Sequence, residues 1–261
     1  MPFSPATIAF GSIVGFSLGL TGSGGSILAI PLLVYGVGLP VEQALPVSLL
    51  MVAAIAVSGA ARQTWSRQVD WRAALLFSLT GMLVSPVVVG LTHNVDDKIR
   101  LGLFALLMLV VAGRMAFGRG QTGKVKASRH HSMWVEMIRI TLGGALAGAL
   151  AGFFGVGGGF VIVPLLTLIF AMPYKRAVGT SLASIALISS SALLGYFMQG
   201  ATIDGELLSM FIGGGILGLL LGTRVVNSVP EVIARRVFAT VTALLAIFMI
   251  FDKFILHQGG V

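Results

Sequence analysis

Gly15-Phe-Ser-Leu-Gly-Leu-Thr-Gly-Ser-Gly-Gly-Ser-Ile-Leu-Ala-Ile-Pro31 returns 133 positions later as Gly148-Ala-Leu-Ala-Gly-Phe-Phe-Gly-Val-Gly-Gly-Gly-Phe-Val-Ile-Val-Pro164. Gly11, Gly15, Gly19, Gly22, Gly24, Gly25, Pro31 and Pro40 fall on Gly144, Gly148, Gly152, Gly155, Gly157, Gly158, Pro164 and Pro173. The register continues through Ala44/Ala177 and Ser48/Ser181. A duplicated, glycine-broken apolar segment inside a membrane protein points to the substrate site of a transporter.

The membrane setting follows from composition. The chain is 56% hydrophobic and 10% charged, with a mean hydropathy of +1.00. Soluble domains carry about 25% charged residues. Ala44–Ala61, Ala73–Leu91, Leu101–Val111, Leu182–Phe197, Leu207–Leu221 and Val237–Phe251 contain no charge. Several approach the roughly 20 residues that cross a bilayer core of about 30 Å. The expected fold is an all-α polytopic membrane protein. A barrel would need alternating segments of about ten residues, and none is present. No secretory signal peptide is expected, because the first residues lack a basic stretch and a cleavage site. With no cysteine, disulfides and thiolate metal sites are excluded. The net charge of +8 reflects basic loops, as in any inner-membrane protein, and does not indicate nucleic acid.

Each half contains four hydropathy segments: about 5–37, 43–62, 71–92 and 98–117, then about 137–170, 175–198, 205–226 and 232–256. This defines a first repeat (1–117), a basic cytoplasmic linker (118–135) and a second repeat (136–261). The first segment of each repeat is too long for one straight span. Its glycine cluster divides it into arms of about 16 and 12 residues, or about 24 and 18 Å. Such arms suit a helical hairpin turning near mid-membrane.

Charge then selects a topology. With four crossings per half the repeats are parallel, and Lys plus Arg divide 10 inside to 7 outside. With a first segment that returns to its own side, the repeats are inverted. Lys175, Arg176, Arg224, Arg235 and Arg236 then move inside and Lys253 moves outside, giving 14 to 3. The positive-inside rule favours the inverted arrangement, with both termini outside.

The breaks at Thr21, Gly22, Ser23, Gly24, Gly25 and Ser26, and at Gly155, Gly157, Gly158 and Gly159, are the candidate substrate ligands. Unwound backbone at membrane depth is tolerated where it is buried in protein or lines a cavity. The arm that follows starts with free N–H groups and a positive dipole end, which suit an oxyanion. Two such breaks related by a pseudo-two-fold axis would form one central anion site. Gly11, Gly15, Gly19 and their counterparts are expected to let the two arms of each hairpin pack. Ser48, Thr180 and Ser181 lie early in the next helices, where a hydroxyl could donate to the anion or simply bond one turn back. Arg176 stands after the second hairpin and could attract anions to the cytoplasmic mouth.

Apart from Glu206 and Asp252 near segment ends, no Asp or Glu lies inside a membrane segment, which disfavours cation transport. Gly118–Val125 resembles part of a phosphate-binding loop but has Val125 at the magnesium position and no preceding strand. His130 and His131 lack ligand partners at useful spacing. No nucleophile–base set is visible, so no enzymatic activity and no cofactor is expected.

The paired pattern Gly-x-Gly-Gly-(Gly/Ser), Pro-Leu-Leu and Ala-x-x-x-Ser-Leu reads as Gly22–Ser26, Pro31–Leu33 and Ala44–Leu49, then Gly155–Gly159, Pro164–Leu166 and Ala177–Leu182. It resembles the TauE/SafE sulfite exporters, also called the 4-toluene sulfonate uptake permease family, over essentially the whole chain. The first copy departs at Ser26, where the second has Gly159, and at Pro46, where it has Gly179. The resemblance implies a bacterial inner-membrane secondary transporter, an exporter by the family's name, for sulfite, sulfoacetate, thiosulfate or related sulfur anions. Its partners would be that small anion and the lipid bilayer; a homo-oligomer is compatible with the sequence. The alternatives are a proton- or sodium-coupled permease for another metabolite and a non-transporting membrane scaffold.

Overall fold

The computed structural model describes residues 5–22, 24–92, 94–117, 133–169, 172–225 and 231–252. Ser23, most of the basic linker and Lys253 therefore lie outside the described residues. The described chain is helical: α1 (Pro5–Thr21), α2 (Gly25–Pro31, continued by a π-helical turn Leu32–Val37), α3 (Val41–Trp65), α4 (Trp71–Thr92), α5 (Asp97–Phe117), α6 (Met133–Phe154), α7 (Gly159–Ile169), α8 (Tyr174–Met198), α9 (Gly205–Val225) and α10 (Glu231–Phe251). Among the described residues, five helices are long and apolar enough to span a bilayer: α3, α4, Met137–Phe154 of α6, α8 and α9.

Both glycine clusters reverse the chain. Gly25 packs on the backbone of Val14 and Leu18, and Gly36 faces the Phe10 ring, so α2 runs back along α1. Gly158 packs on the Ala147 carbonyl and Gly143 on Leu165, so α7 runs back along α6. In the first hairpin Pro31 removes an N–H from the returning arm, and the next turn relaxes to π geometry. The second hairpin has a longer first arm than its spacing predicts, 22 residues. Arg139 near its start is exposed, which keeps that end near water.

The long glycine stripes do a different job from the one expected. Gly11, Gly15 and Gly19 of α1 meet the carbonyls of Phe211, Gly215 and Leu219 on α9. In return Gly214, Gly218 and Gly222 of α9 meet the carbonyls of Ile8, Ser12 and Phe16. Gly144, Gly148 and Gly152 of α6 likewise meet Phe77, Gly81 and Ser85 of α4. The stripes therefore join each hairpin to the third long helix of the other repeat, in parallel, rather than joining the two arms. The physical reason is reach: two facing stripes of small residues let backbones approach to Cα–H···O distance over three turns. A short arm beside a turn offers less length.

α3 and α8 form the buried centre. They run antiparallel: Gly59 faces Leu182, and Gly179, near the start of α8, lies against Gln63 and Gln68 at the end of α3. The outer helices turn leucines, valines and phenylalanines outward, among them Leu79 and Leu83 of α4 and Leu244 and Phe248 of α10. Such a continuous apolar exterior fits lipid. At one end Trp65 and Trp71 are exposed beside Arg67 and Arg72, the residue types that anchor a protein at the membrane–water interface.

α3 and α8 also end alike. The Gln68 N–H donates to the Gln63 carbonyl, as Ala201 does to Tyr196 in the other repeat. The residue inside this closure is left-handed in both, Gly200 at φ 83° and Arg67 at φ 54°. A side chain in that region costs about 1–2 kcal/mol. Arg67→Gly is expected to raise stability by about 1 kcal/mol, read as a higher melting temperature in detergent; an unchanged or lower value refutes the strain.

Candidate functional site

The first break is tied off by its own side chain. The Thr21 hydroxyl donates to the Ser17 carbonyl at 2.8 Å and accepts the Gly24 N–H at 2.8 Å. Gly22 is left-handed, and a Cβ there would lie 2.6 Å from Val178. Ser181 donates to the Gly22 carbonyl at 2.9 Å, and the Gly24 position faces the ring of Phe238. Ser26 is fully buried in the first turn of α2. This tip is packed and internally bonded.

The second break is looser in its bonding. Gly155, Gly157 and Gly158 all have φ near +70°: 67°, 70° and 66°. Three left-handed residues in four explain why glycine recurs there. The Gly155 N–H bonds back to the Ala151 carbonyl, and the Val161 N–H to the Gly158 carbonyl. Between them lies the first turn of α7, whose N–H groups have no carbonyl within the helix to bond. Gly157 lies against the Ser189 hydroxyl, with Val52 and Ile185 beside it. The Ser189 Oγ is buried and unbonded, and so is the Ser48 Oγ, one turn from the Leu45 that packs on Gly155.

The breaks meet α8 at different heights. Gly22 packs on Val178 and its carbonyl accepts from Ser181 near the helix start, whereas Gly157 lies against Ile185 and Ser189 near the middle. Ser181 and Ser189 are separated by about 12 Å of helix rise. The equivalent glycines Gly22 and Gly155 meet the equivalent residues Val178 and Leu45, at opposite ends of the α3/α8 pair, and the returning arms α2 and α7 touch.

The ends of the α3/α8 pair differ. At the Trp65 end Arg176 pairs with Asp70 at 3.2 Å. The Asp70 N–H donates to the Thr180 hydroxyl at 2.9 Å, and Gly179 lies under the Gln68 carbonyl. Arg176 is thus a strut with a carboxylate partner, not a free attractor of anions, and Thr180 serves the same closure. At the opposite end a cavity of about 270 Å³ is lined by Gln43, Leu45, Arg100, Tyr196, Gln199 and Thr202, among others. Tyr196 donates to the Gly152 carbonyl at 3.0 Å, linking that cavity to the second break.

Of the candidate ligands, the fold brings Gly155, Gly157 and Ser48 around the second break, and Gly22 and Ser181 around the first. Sequence reasoning ranks the Ser189–Ser191 run below Ser48, Thr180 and Ser181, and passes over Arg100, which looks like any arginine near a helix start. Periodicity against α3 is the only signal that would have singled out Ser189. Among the described residues no cluster of three metal-ligating side chains occurs.

Two reversed, glycine-broken hairpins held among longer apolar helices define the class: a multi-pass α-helical membrane protein with buried unwound backbone. The chain belongs to the sulfite exporter TauE/SafE family, whose model matches residues 7–249. It is 36% identical over 249 residues to a "probable membrane transporter protein" of Xylella fastidiosa strain 9a5c, covering 94% of each chain. It is 29% identical over 203 residues to the "probable membrane transporter protein MJ0441" of Methanocaldococcus jannaschii, covering 74% of this chain and 72% of that one. A third relative, the "probable membrane transporter protein YdhB" of Bacillus subtilis, is 26% identical over 247 residues, 92% of this chain and 97% of its own. No solved structure matches the chain. These relations mark a membrane transporter rather than an enzyme.

Proposed function

We propose that the protein is an inner-membrane secondary transporter that exports sulfite or related small sulfur oxyanions by alternating access of two inverted repeats. The observation that carries the reading is the second break. There, Gly157, one of three left-handed glycines with 155 and 158, lies against the unbonded Ser189 hydroxyl, and the first turn of α7 follows directly. Such a group of donors without a carboxylate suits an oxyanion. The first break, Thr21–Ser26, is its repeat counterpart and takes part when the protein changes state.

Three features support the inverted arrangement. Equivalent helices α3 and α8 run antiparallel, as repeats related by an axis in the membrane plane require. Each first segment returns to its own end. Lys and Arg then divide 14 to 3 in favour of the inside. Alternating access is supported by the contrast between the end closed by Asp70–Arg176 and the end with the cavity. Export suits the membrane potential: a divalent anion leaving an inside-negative cell gains about 4–5 kcal/mol at 100 mV.

Ser189→Ala in proteoliposomes and in detergent tests this directly. The hydroxyl has no protein partner, so its removal leaves the melting temperature unchanged or raised. A hydrogen bond to a charged ligand contributes about 1.5–3 kcal/mol, so sulfite affinity falls about 10- to 100-fold and flux at low sulfite falls with it. Wild-type affinity and flux in the variant would sink the assignment.

A further inference from the structure

We propose that the cavity between the start of α3 and the end of α8 is a second oxyanion-binding site, with Arg100 as its cationic ligand. The proposal rests on the transport reading for the class of ligand, and it adds a site that the glycine breaks do not contain.

Arg100 is 5% exposed and is the one buried charged side chain among the described residues. One guanidinium nitrogen donates to the Thr92 carbonyl, and the guanidinium carbon lies 5.8 Å from the centre of the Phe153 ring. These contacts fix the group without neutralising it. Its Nε has no hydrogen-bond partner. The ion pair Arg176–Asp70 stands at the other end of the α3/α8 pair and does not involve Arg100. A desolvated cation without a counter-ion is costly to bury, and a bound anion removes that cost. Guanidinium geometry matches oxyanions in particular.

The rest of the cavity fits the same ligand. Gln43, Gln199 and Thr202 line it, and the Gln199 Oε1 is buried without a partner. Turned over about its last torsion, that amide presents two N–H donors at the same place. The volume of about 270 Å³ equals roughly nine waters at about 30 Å³ each. That holds one small oxyanion with part of its hydration. Glu42 stands exposed at the mouth, where solvent screens it.

Position ties the site to transport. Leu45 both lines the cavity and packs on Gly155, and Tyr196 both lines it and bonds the Gly152 carbonyl. An anion on Arg100 is therefore next to the second break. At the other end of the α3/α8 pair Arg176 is engaged by Asp70. In the inverted topology the cavity opens outward, so Arg100 holds the anion on the outer side of the break.

The test is titration of the purified full-length chain with sulfite and with sulfate, at constant ionic strength in chloride, read by calorimetry and thermal stabilisation. Arg100→Gln is expected to weaken sulfite binding at least tenfold, and Arg100→Lys to fall between it and the wild type. Ala201→Asp puts a negative charge in the cavity wall, outside the helices. It is expected to weaken binding as much while leaving the unliganded melting temperature within a few degrees. If Arg100→Gln fails to fold, Ala201→Asp decides. Wild-type affinity in either folded variant overturns the proposal. Weak binding in both with full affinity in Ser189→Ala supports this site and sinks the break as ligand. A wild-type chain that binds neither anion overturns both.

Discussion

Gly15→Ala is expected to yield little or no stable protein. A Cβ at Gly15 would overlap the Gly215 carbonyl and lie 2.8 Å from its Cα. Both obstacles are backbone, so no rotamer change relieves them. The helices must separate, and the neighbouring approaches at Gly11, Gly19, Gly214, Gly218 and Gly222 open with them. Overpacking alone costs about 1–3 kcal/mol, and breaking each Cα–H···O interaction adds about 0.5–1 kcal/mol. The sum is on the order of 3–5 kcal/mol, enough to exhaust most of a typical margin of stability. Gly148→Ala, which meets Gly81 in the same way, should behave alike. Gly113→Ala in α5 is the control, since nothing lies within 4 Å of its Cβ. Monodisperse yield and melting temperature in detergent give the answer. A Gly15→Ala chain as stable as Gly113→Ala would show that the α1–α9 joint opens at little cost.

Thr21→Val should damage the first hairpin without changing its shape. Valine fills the same volume but cannot accept the Gly24 N–H or donate to the Ser17 carbonyl. The Gly24 N–H is then buried with no partner, at a cost of about 1–3 kcal/mol. Thr21→Ser keeps both bonds and should stay within about 1 kcal/mol of the wild type. Because the hydroxyl is already fully used, its role is to shape the break. Transport in the valine variant should fall together with stability, and sulfite affinity at the second break should be retained. A valine chain with wild-type melting behaviour would mean that the turn does not depend on this hydroxyl.

The serines divide on the same ground. Ser48 and Ser181 are equivalent in sequence, one in each repeat. In the fold the Ser181 hydroxyl lies within bonding distance of the Gly22 carbonyl at 2.9 Å and of the Val178 carbonyl one turn back at 2.8 Å, whereas Ser48 has no partner. Thr180 is occupied by the Asp70 N–H. Nothing in the spacing Ala-x-x-x-Ser-Leu separates these cases, because the partner comes from a segment more than 100 residues away. Arg100 is the same problem with a charge. Near the start of an apolar helix an arginine reads as an interfacial anchor, and only the packing of α5 against its neighbours buries it.

The bilayer setting, the duplication, the eight segments and the position of both breaks are legible in the sequence. All of these are local: they depend on runs of apolar side chains and on glycine's freedom at φ near +70°. The sequence also points to the inverted repeat through loop charge, which the membrane reads one segment at a time. What each glycine touches is set by tertiary packing. That packing turned the helical stripes from hairpin packing into joints with α9 and α4, and it docked the breaks on different stretches of α8. It also paired Arg176 with Asp70 while leaving the Arg100 Nε unbonded. Those outcomes depend on which backbones meet, and chain segments far apart in sequence settle that, so the local spacing of Gly15–Pro31 does not carry them.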